Sequence, residues 1–375
     1  MIYLDSAATS LQKPAAVRYA VSEALQSMAS PGRGGYDSAM LAADTVLDCR
    51  LALADLFCVR DPARVVFTSS ATHGLNIAIR SLVGPGDRVV ISGYEHNAVW
   101  RPLHGISADV AVARAPLFEP DAMVRAFREL LPGAKAAVCT QVSNVFGYIL
   151  PVEQISALCR ERGVPLIVDA SQGAGSVGLD FDGLGCAFAA MPGHKGLLGP
   201  QGTGVLLCRD GDVTPLFYGG TGSQSQEASM PPFLPDRLEP GTHNVPGIAG
   251  LLAGVRWLER RTCPGVLGHE RELAELFSER LARTGGVRQF RAKDPALQTG
   301  VLSLQIEGMD CEEAAARLGR RGIAVRAGLH CAPLAHETAG TLAEGTVRFS
   351  YSPFNTADEA LAAADAVLDL LKGRA

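Results

Sequence analysis

The chain has 375 residues, 47% of them hydrophobic and 19% charged, and a formal net charge of -5. That length and apolar content suit a large core and exceed what one compact domain usually holds, so one large and one smaller domain are expected. The acidic balance offers no basic stripe for nucleic acid, and no apolar run of about eighteen residues could span a bilayer. Residues Met1 to Asp5 lack the basic flank and apolar stretch of a signal peptide, so a cytoplasmic protein without nucleic-acid or membrane partners is expected. The nine cysteines, an odd count without close pairs, argue against a disulfide framework and against a zinc site, and suit a reducing cytoplasm.

Over the first two-thirds of the chain, apolar runs alternate with helix-period segments, the pattern of a parallel or mixed sheet covered by helices. In chain order, a strand is predicted at 64–68, a helix at 75–82, a strand at 88–92, a helix at 122–131 and a strand at 136–140. A helix at 155–162 leads to strands at 165–169, at 186–191 and at 202–208. The segment 224–240, rich in Ser, Pro and Gln, reads as an excursion loop. A long amphipathic connector at 248–261 introduces a different pattern: strand 301–306, helix 311–320, strands 323–326 and 347–351, and helix 357–371. This is expected to form a smaller α+β domain.

Ligands of open α/β sheets bind beyond the carboxyl ends of strands, so the residues just past each strand carry the functional reading. Thr68-Ser69-Ser70-Ala71-Thr72-His73-Gly74 offers free backbone N–H groups and hydroxyls at a helix start, which suits either a phosphate dianion or an ordinary helix cap. His96 puts an aromatic, protonatable ring past the next strand, where a structural histidine is the plainer alternative. Ser143 and Asn144 follow the strand at 136–140. Asp169 ends a fully apolar strand; buried, it must face a cation or several donors, or else cap the following loop. Lys195 follows the run 186–191 between glycines and beside His194; it is a solvated surface cation unless burial depresses its pKa enough for Schiff-base chemistry. Together these residues form the inventory that pyridoxal 5′-phosphate (PLP) requires: an amine, a phosphate cradle, a carboxylate for the pyridinium nitrogen and an aromatic ring to stack on.

The ordered set Leu4-Asp5-Ser6-Ala7-Ala8-Thr9, Phe67-Thr68-Ser69-Ser70-Ala71-Thr72, Glu95-His96-Asn97, Ser143-Asn144-Val145-Phe146-Gly147, Val168-Asp169-Ala170-Ser171-Gln172 and Gly193-His194-Lys195 resembles the class V aminotransferase-fold PLP enzymes. Within them it is most similar to the cysteine desulfurases and selenocysteine lyases. The resemblance implies an α/β protein of PLP fold type I, aspartate aminotransferase-like, with a large mixed, mostly parallel seven-stranded sheet and a smaller α+β C-terminal domain. Residues 1–15 would pack with the small domain, 16–255 would form the large cofactor-binding domain, and 256–375 the small domain carrying a cysteine loop.

By that resemblance Lys195 is the Schiff-base lysine and proton carrier, Asp169 pairs with the pyridinium nitrogen, His96 stacks on the ring and Gln172 bonds its phenolic oxygen. Thr72, His194 and the backbone at Ala71 would hold the phosphate, Asn144 would contact cofactor and substrate, and Thr242 would complete the partner subunit's phosphate site in a homodimer. The segment Arg326-Ala327-Gly328-Leu329-His330-Cys331-Ala332-Pro333 resembles the one bearing the nucleophilic cysteine of group II desulfurases. Cys331 would then take sulfur from L-cysteine as a persulfide, releasing alanine, and Arg348 would grip the substrate carboxylate. The persulfide would pass to an acceptor protein, as in iron-sulfur cluster assembly. L-selenocysteine is a second candidate substrate. The same aldimine lysine would also serve an aminotransferase or a C–S lyase that forms no persulfide. A cofactor-poor scaffold for sulfur-transfer partners is disfavoured by the joint presence of Lys195, Asp169 and His96. The chain departs from the group II pattern at Pro192, where relatives carry Ser or Thr, at Ala71, where they carry Thr, at His73, where Glu is common, and at Leu329, where many have a second His. Weaker phosphate retention is expected.

Overall fold

The structure, a computed structural model, describes residues 1–372 other than 33, 210–212 and 283. Its strands are β1 (Ile2–Tyr3), β2 (Val65–Thr68), β3 (Arg88–Ser92), β4 (Asp109–Ala113), β5 (Ala136–Thr140), β6 (Leu166–Asp169), β7 (Phe188–Pro192), β8 (Gly204–Cys208), β9 (Val287–Phe290), β10 (Val301–Ile306), β11 (Ile323–Ala324), β12 (Arg326–Gly328) and β13 (Thr346–Ser350). The expected seven-stranded sheet is present, in the order β2-β8-β7-β6-β5-β3-β4. β8 runs antiparallel to both its neighbours and the remaining pairs are parallel. β2 therefore points the same way as β7, and the carboxyl ends of β2, β3, β5, β6 and β7 all open on one edge.

The apolar strands read as continuous runs because both faces are covered. Val89, Ile91, Ala136, Val138, Ile167, Phe188 and Leu206 pack on one side, and Val90, Ala137, Cys139, Leu166, Val168, Ala189 and Leu207 on the other. This is the alternation that a two-residue strand period imposes. β4 escapes the sequence reading because Asp109–Ala113 is a sheet edge, mostly partly exposed, whose apolar run is only four residues long and half alanine. The helix Val245–Arg261 starts at Asn244, whose side chain accepts from Gly247 N at 3.1 Å, and ends in Arg260 and Arg261. Helices Ala15–Ser27 and Asp37–Leu56 both pack on it.

The C-terminal part forms a four-stranded antiparallel sheet, β12-β13-β10-β9, over its own apolar cluster of Phe277, Leu304, Phe349 and Val367. The single strand expected at 323–326 is two short strands in different sheets. β11 pairs with β1, and β12 pairs with β13. Thus the N-terminus is laid against the C-terminal part.

The segment 224–240 is not wholly an excursion loop, since it ends in a buried ion pair. Arg50 and Glu239 pair bidentately, each N–O distance 2.9 Å, and Glu239 also accepts from Phe67 N at 2.6 Å and from His243 Nε2 at 2.7 Å. Burial alone would raise the Glu239 carboxyl, but the His243 bond and the Arg50 guanidinium hold it below the usual carboxylate range. The network anchors β2 just before its carboxyl end. Replacing Glu239 by Ala strands a buried guanidinium and should cost about 3–5 kcal/mol, read as a lower urea midpoint. Because the folded pKa lies below the unfolded one, this stability is present at neutral pH and is lost as pH falls through the depressed folded value; a wild-type minus Glu239→Ala difference that grows on acidification would contradict the assignment.

Candidate active site

Asp169 is the last residue of β6 and stands in register with Thr140 of β5 and Ala190 of β7. Its Oδ1 accepts from Ser171 N at 2.9 Å and from Ser171 Oγ, so the carboxylate is oriented before any ligand arrives. Glu95 lies fully buried nearby; its Oε1 accepts from Ser92 Oγ and from Thr140 N at 2.7 Å. Burial, together with the Asp169 charge, pushes the Glu95 carboxyl up to about 8. Glu95 therefore holds its proton at neutral pH beside Asp169.

Lys195 lies three residues beyond β7, on a turn closed by Gly199 N donating to Gly193 O at 2.7 Å. Glycines on both sides are required by close approach. A Cβ at Gly193 would fall 2.1 Å from Thr203 Oγ1, and one at Gly196 would fall 2.1 Å from the Ala174 carbonyl. The second contact seats the lysine turn against the segment that follows Asp169. Ser10 donates to His194 O through N at 3.1 Å and Oγ at 2.9 Å, so the N-terminal segment lies over the same turn. Lys195 is a partly buried residue, and burial lowers its pKa to about 8 against the opposing pull of Asp169, with Arg348 and Arg326 pressing it further down. His194, bonded through Nδ1 to Thr9 Oγ1 at 3.0 Å, is pushed down to about 4 by burial and by Lys195 and Lys13.

His96 caps the helix Asn97–Gly105: its Nδ1 accepts the Ala98 N–H at 3.0 Å. Burial lowers its pKa, against Asp169, so the neutral ring carries its proton on Nε2. His96, Asp169, Lys195, Thr72, Ala71, His194, Gln172, Asn144 and Pro192 line one cleft. At its far wall the helix Ala71–Leu82 begins, capped by Ser70 Oγ accepting His73 N at 3.2 Å. The donor set fits PLP: a desolvated amine, an oriented carboxylate, an imidazole and a helix N-terminus of at least eight residues around one cavity. Pro192, which pairs with Gly204 at the end of β7, contributes neither hydroxyl nor N–H to it.

Gln172 Nε2 donates to Ala7 O at 2.9 Å, and Asn144 Nδ2 to His330 O at 2.8 Å. Thr242 lies apart from the Lys195 cleft, in a neighbouring one with Ser69, His73 and Phe217. His73 faces Phe217 edge-on at 5.3 Å and its pKa is lowered by burial, so it brings no cation to the helix start at Ala71 and Thr72.

Cys331 is exposed on a loop in which His330 and Cys331 both adopt left-handed φ, 50° and 55°. Two such non-glycine residues in succession persist only where surroundings hold them. Here Asn144 bonds the His330 carbonyl, Asn97 N donates to Cys331 O at 2.8 Å, and His330 Nε2 meets Thr346 Oγ1 at 3.1 Å. His330, stacked on His336, is driven down to about 2 by burial and by Arg348. Behind the loop, Arg348 is buried, donating Nη1 to Asn144 O and Nη2 to Asp5 Oδ1, both at 2.9 Å. Asp5 and Arg326 carry no role in the sequence reading, although both stand inside its quoted motifs; their pairing across 321 positions has no local signature.

The sequence profile of the family Aminotransferase class-V matches residues 2–362. The chain is 31% identical over 377 residues to a probable cysteine desulfurase of Methanothermobacter thermautotrophicus, covering 96% of this chain and 92% of that one. It is 32% identical over 394 residues to the cysteine desulfurase CsdA of Escherichia coli, covering 99% and 94%. The apo structure of a cysteine desulfurase from Thermococcus onnurineus superposes with a TM-score of 0.91 at 28% identity, covering 99% of this chain and 95% of that one. The architecture is that of the fold type I PLP-dependent enzymes. The chain belongs to the class-V aminotransferase family.

Proposed function

We propose that the protein is a PLP-dependent cysteine desulfurase that converts L-cysteine and the Cys331 thiol to L-alanine and a Cys331 persulfide, and then passes the outer sulfur to an acceptor thiol. The observation that carries this reading is the placement of Cys331: an exposed thiol on a loop whose backbone is bonded to Asn144, a residue of the Lys195 cleft, and to Asn97, next to His96. Its relatives named as cysteine desulfurases support the same chemistry.

Lys195 would hold the cofactor, Asp169 would keep its ring nitrogen charged, His96 would cover the ring, and the helix start at Ala71 and Thr72 with His194 would take its phosphate. When bound, PLP supplies an electron sink that stabilises charge developing at the substrate α-carbon. An amine with a pKa near 8 is poised to take that α-proton and return it at neutral pH. Arg348 would orient the substrate carboxylate, and the Cys331 thiolate would attack the substrate sulfur, forming the S–S bond as the C–S bond breaks. The exposure of Cys331 leaves the persulfide open to thiol exchange. We place the reaction in the cytoplasm, where these free cysteines stay reduced. A homodimer would bring Thr242 to the partner's phosphate turn. Exposed Phe217 and Tyr218 beside that cleft suit burial in such an interface.

Incubation with L-cysteine should add ~32 Da, one sulfur atom, to the peptide containing Cys331 and release alanine; Cys331→Ser should abolish both sulfide release and the adduct while keeping the cofactor. Keto acid without the adduct would replace desulfuration by transamination. In cofactor-free protein, competitive acylation of Lys195 should titrate near pH 8, matching its depressed amine, and borohydride reduction of the holoenzyme should fix the cofactor to that peptide. An inflection near the ordinary lysine value, or cofactor fixed elsewhere, would reject Lys195 as the anchor. Pro192→Ser should add one charge-assisted bond, about 1.5–3 kcal/mol or roughly tenfold or more in PLP affinity. Thr242→Ala should shed PLP faster on dialysis, from a protein whose light-scattering mass is twice 39.3 kDa. A single-chain mass would sink the dimer.

A further inference from the structure

Arg326 and Arg348 stand directly opposite each other in the register of β12 and β13, a like-charge pair that would repel unless something were placed between them. Asp5 is that group. Its Oδ2 accepts from Arg326 Nε at 3.0 Å and Nη2 at 2.9 Å, and its Oδ1 from Arg348 Nη2 at 2.9 Å. The backbone leaves Asp5 little choice of position. It follows β1, which pairs with β11, and forms a bridge to Ser350 at the end of β13. Two cations and one anion leave a single positive charge. Arg348 Nε is buried and has no partner among the described residues, while Nη1 is committed to Asn144 O. Arg326, by contrast, is half exposed and lies within electrostatic range of Cys331, where a substrate side chain would be directed.

We propose that Asp5 sets the charge class of the amino acid the site accepts. By cancelling the Arg326 charge and fixing Arg348, it leaves recognition for one carboxylate and none for an anionic side chain. The inference rests on the reading that Arg348 takes the substrate carboxylate. With Asp5 neutralised, Arg326 becomes an unpaired, half-exposed cation on the Cys331 side, and an acidic side chain then gains a charge-assisted partner. Asp5 is a positioning and specificity residue; it touches the substrate only through the two arginines.

The holoenzyme, with its cofactor content measured, is titrated with L-alanine and with L-aspartate while the visible absorbance of the bound cofactor is followed. The quantity read is the ratio of the two dissociation constants, aspartate over alanine. Asp5→Asn should lower this ratio at least tenfold, and adding Arg326→Gln to it should bring the ratio back toward wild type. Arg326→Gln alone, which keeps Asp5 and so tests the idea even where Asp5→Asn does not fold, should raise it. A ratio within twofold of wild type in either single variant overturns the role of Asp5. The underlying reading is checked separately: Arg348→Ala should weaken both amino acids together, and unchanged binding there would refute the carboxylate assignment itself.

Discussion

Six strands of one sheet, β2 to β7, deliver their carboxyl ends to a single edge, and the charged groups placed there are buried or partly buried. Each must be neutralised by another, and most of the site follows from how that is done. Glu95 meets the constraint by holding its proton beside Asp169. Lys195 meets it by a depressed pKa, which leaves an amine that can exchange a proton near neutrality. His96 and His194 meet it by remaining neutral, each with one ring nitrogen committed to a bond within the protein. The division of charge that PLP chemistry asks for is therefore already present in the protein.

The same logic extends to the other wall of the site. The N-terminal strand β1 crosses to the C-terminal part, and Asp5 at its end lies between two arginines that face each other across β12 and β13. One carboxylate thus joins the N-terminus to the C-terminal sheet and determines how much positive charge the site presents. Asn144 links this wall to the cleft. Its carbonyl accepts from Arg348 and its amide donates to His330, so the loop bearing Cys331 and the arginine behind it share one residue of the large sheet's edge. Strain at His330 and Cys331 is tolerable because their carbonyls are held by Asn144 and Asn97.

Much of this was legible in the chain itself. The apolar runs at β2, β3, β5, β6, β7 and β8 are buried on both faces, so composition alone marks them. The residues that follow them, from Ser70 to Lys195, could be nominated because ligand sites collect past such strands. The helix starts were read late, at 75 and 248, where Ser70 and Asn244 cap helices that begin at Ala71 and Val245. The edge strand β4 was not legible, since one partly exposed face and an initial Asp give it no distinct signal. Nor was the division of 323–326 between two sheets, which pairing with β1 on one side of Val325 and with β13 on the other decides without a change of composition.

The sequence by itself determined the order of the elements and the chemical inventory of the site, because hydrophobic period, caps and strand-end residues are local properties. It placed Lys195, Asp169 and His96 past strand ends and Cys331 in a loop, the residue types that the proposed PLP-dependent sulfur chemistry would use. Only the tertiary structure decided which charges meet. The Arg50–Glu239 pair, the Asp5 bridge between Arg326 and Arg348, and the bonds of Asn144 and Asn97 to the cysteine loop join residues far apart in the chain. Protonation states depend on distance and burial in three dimensions, and these arise only when the sheet edge and the C-terminal sheet are brought together.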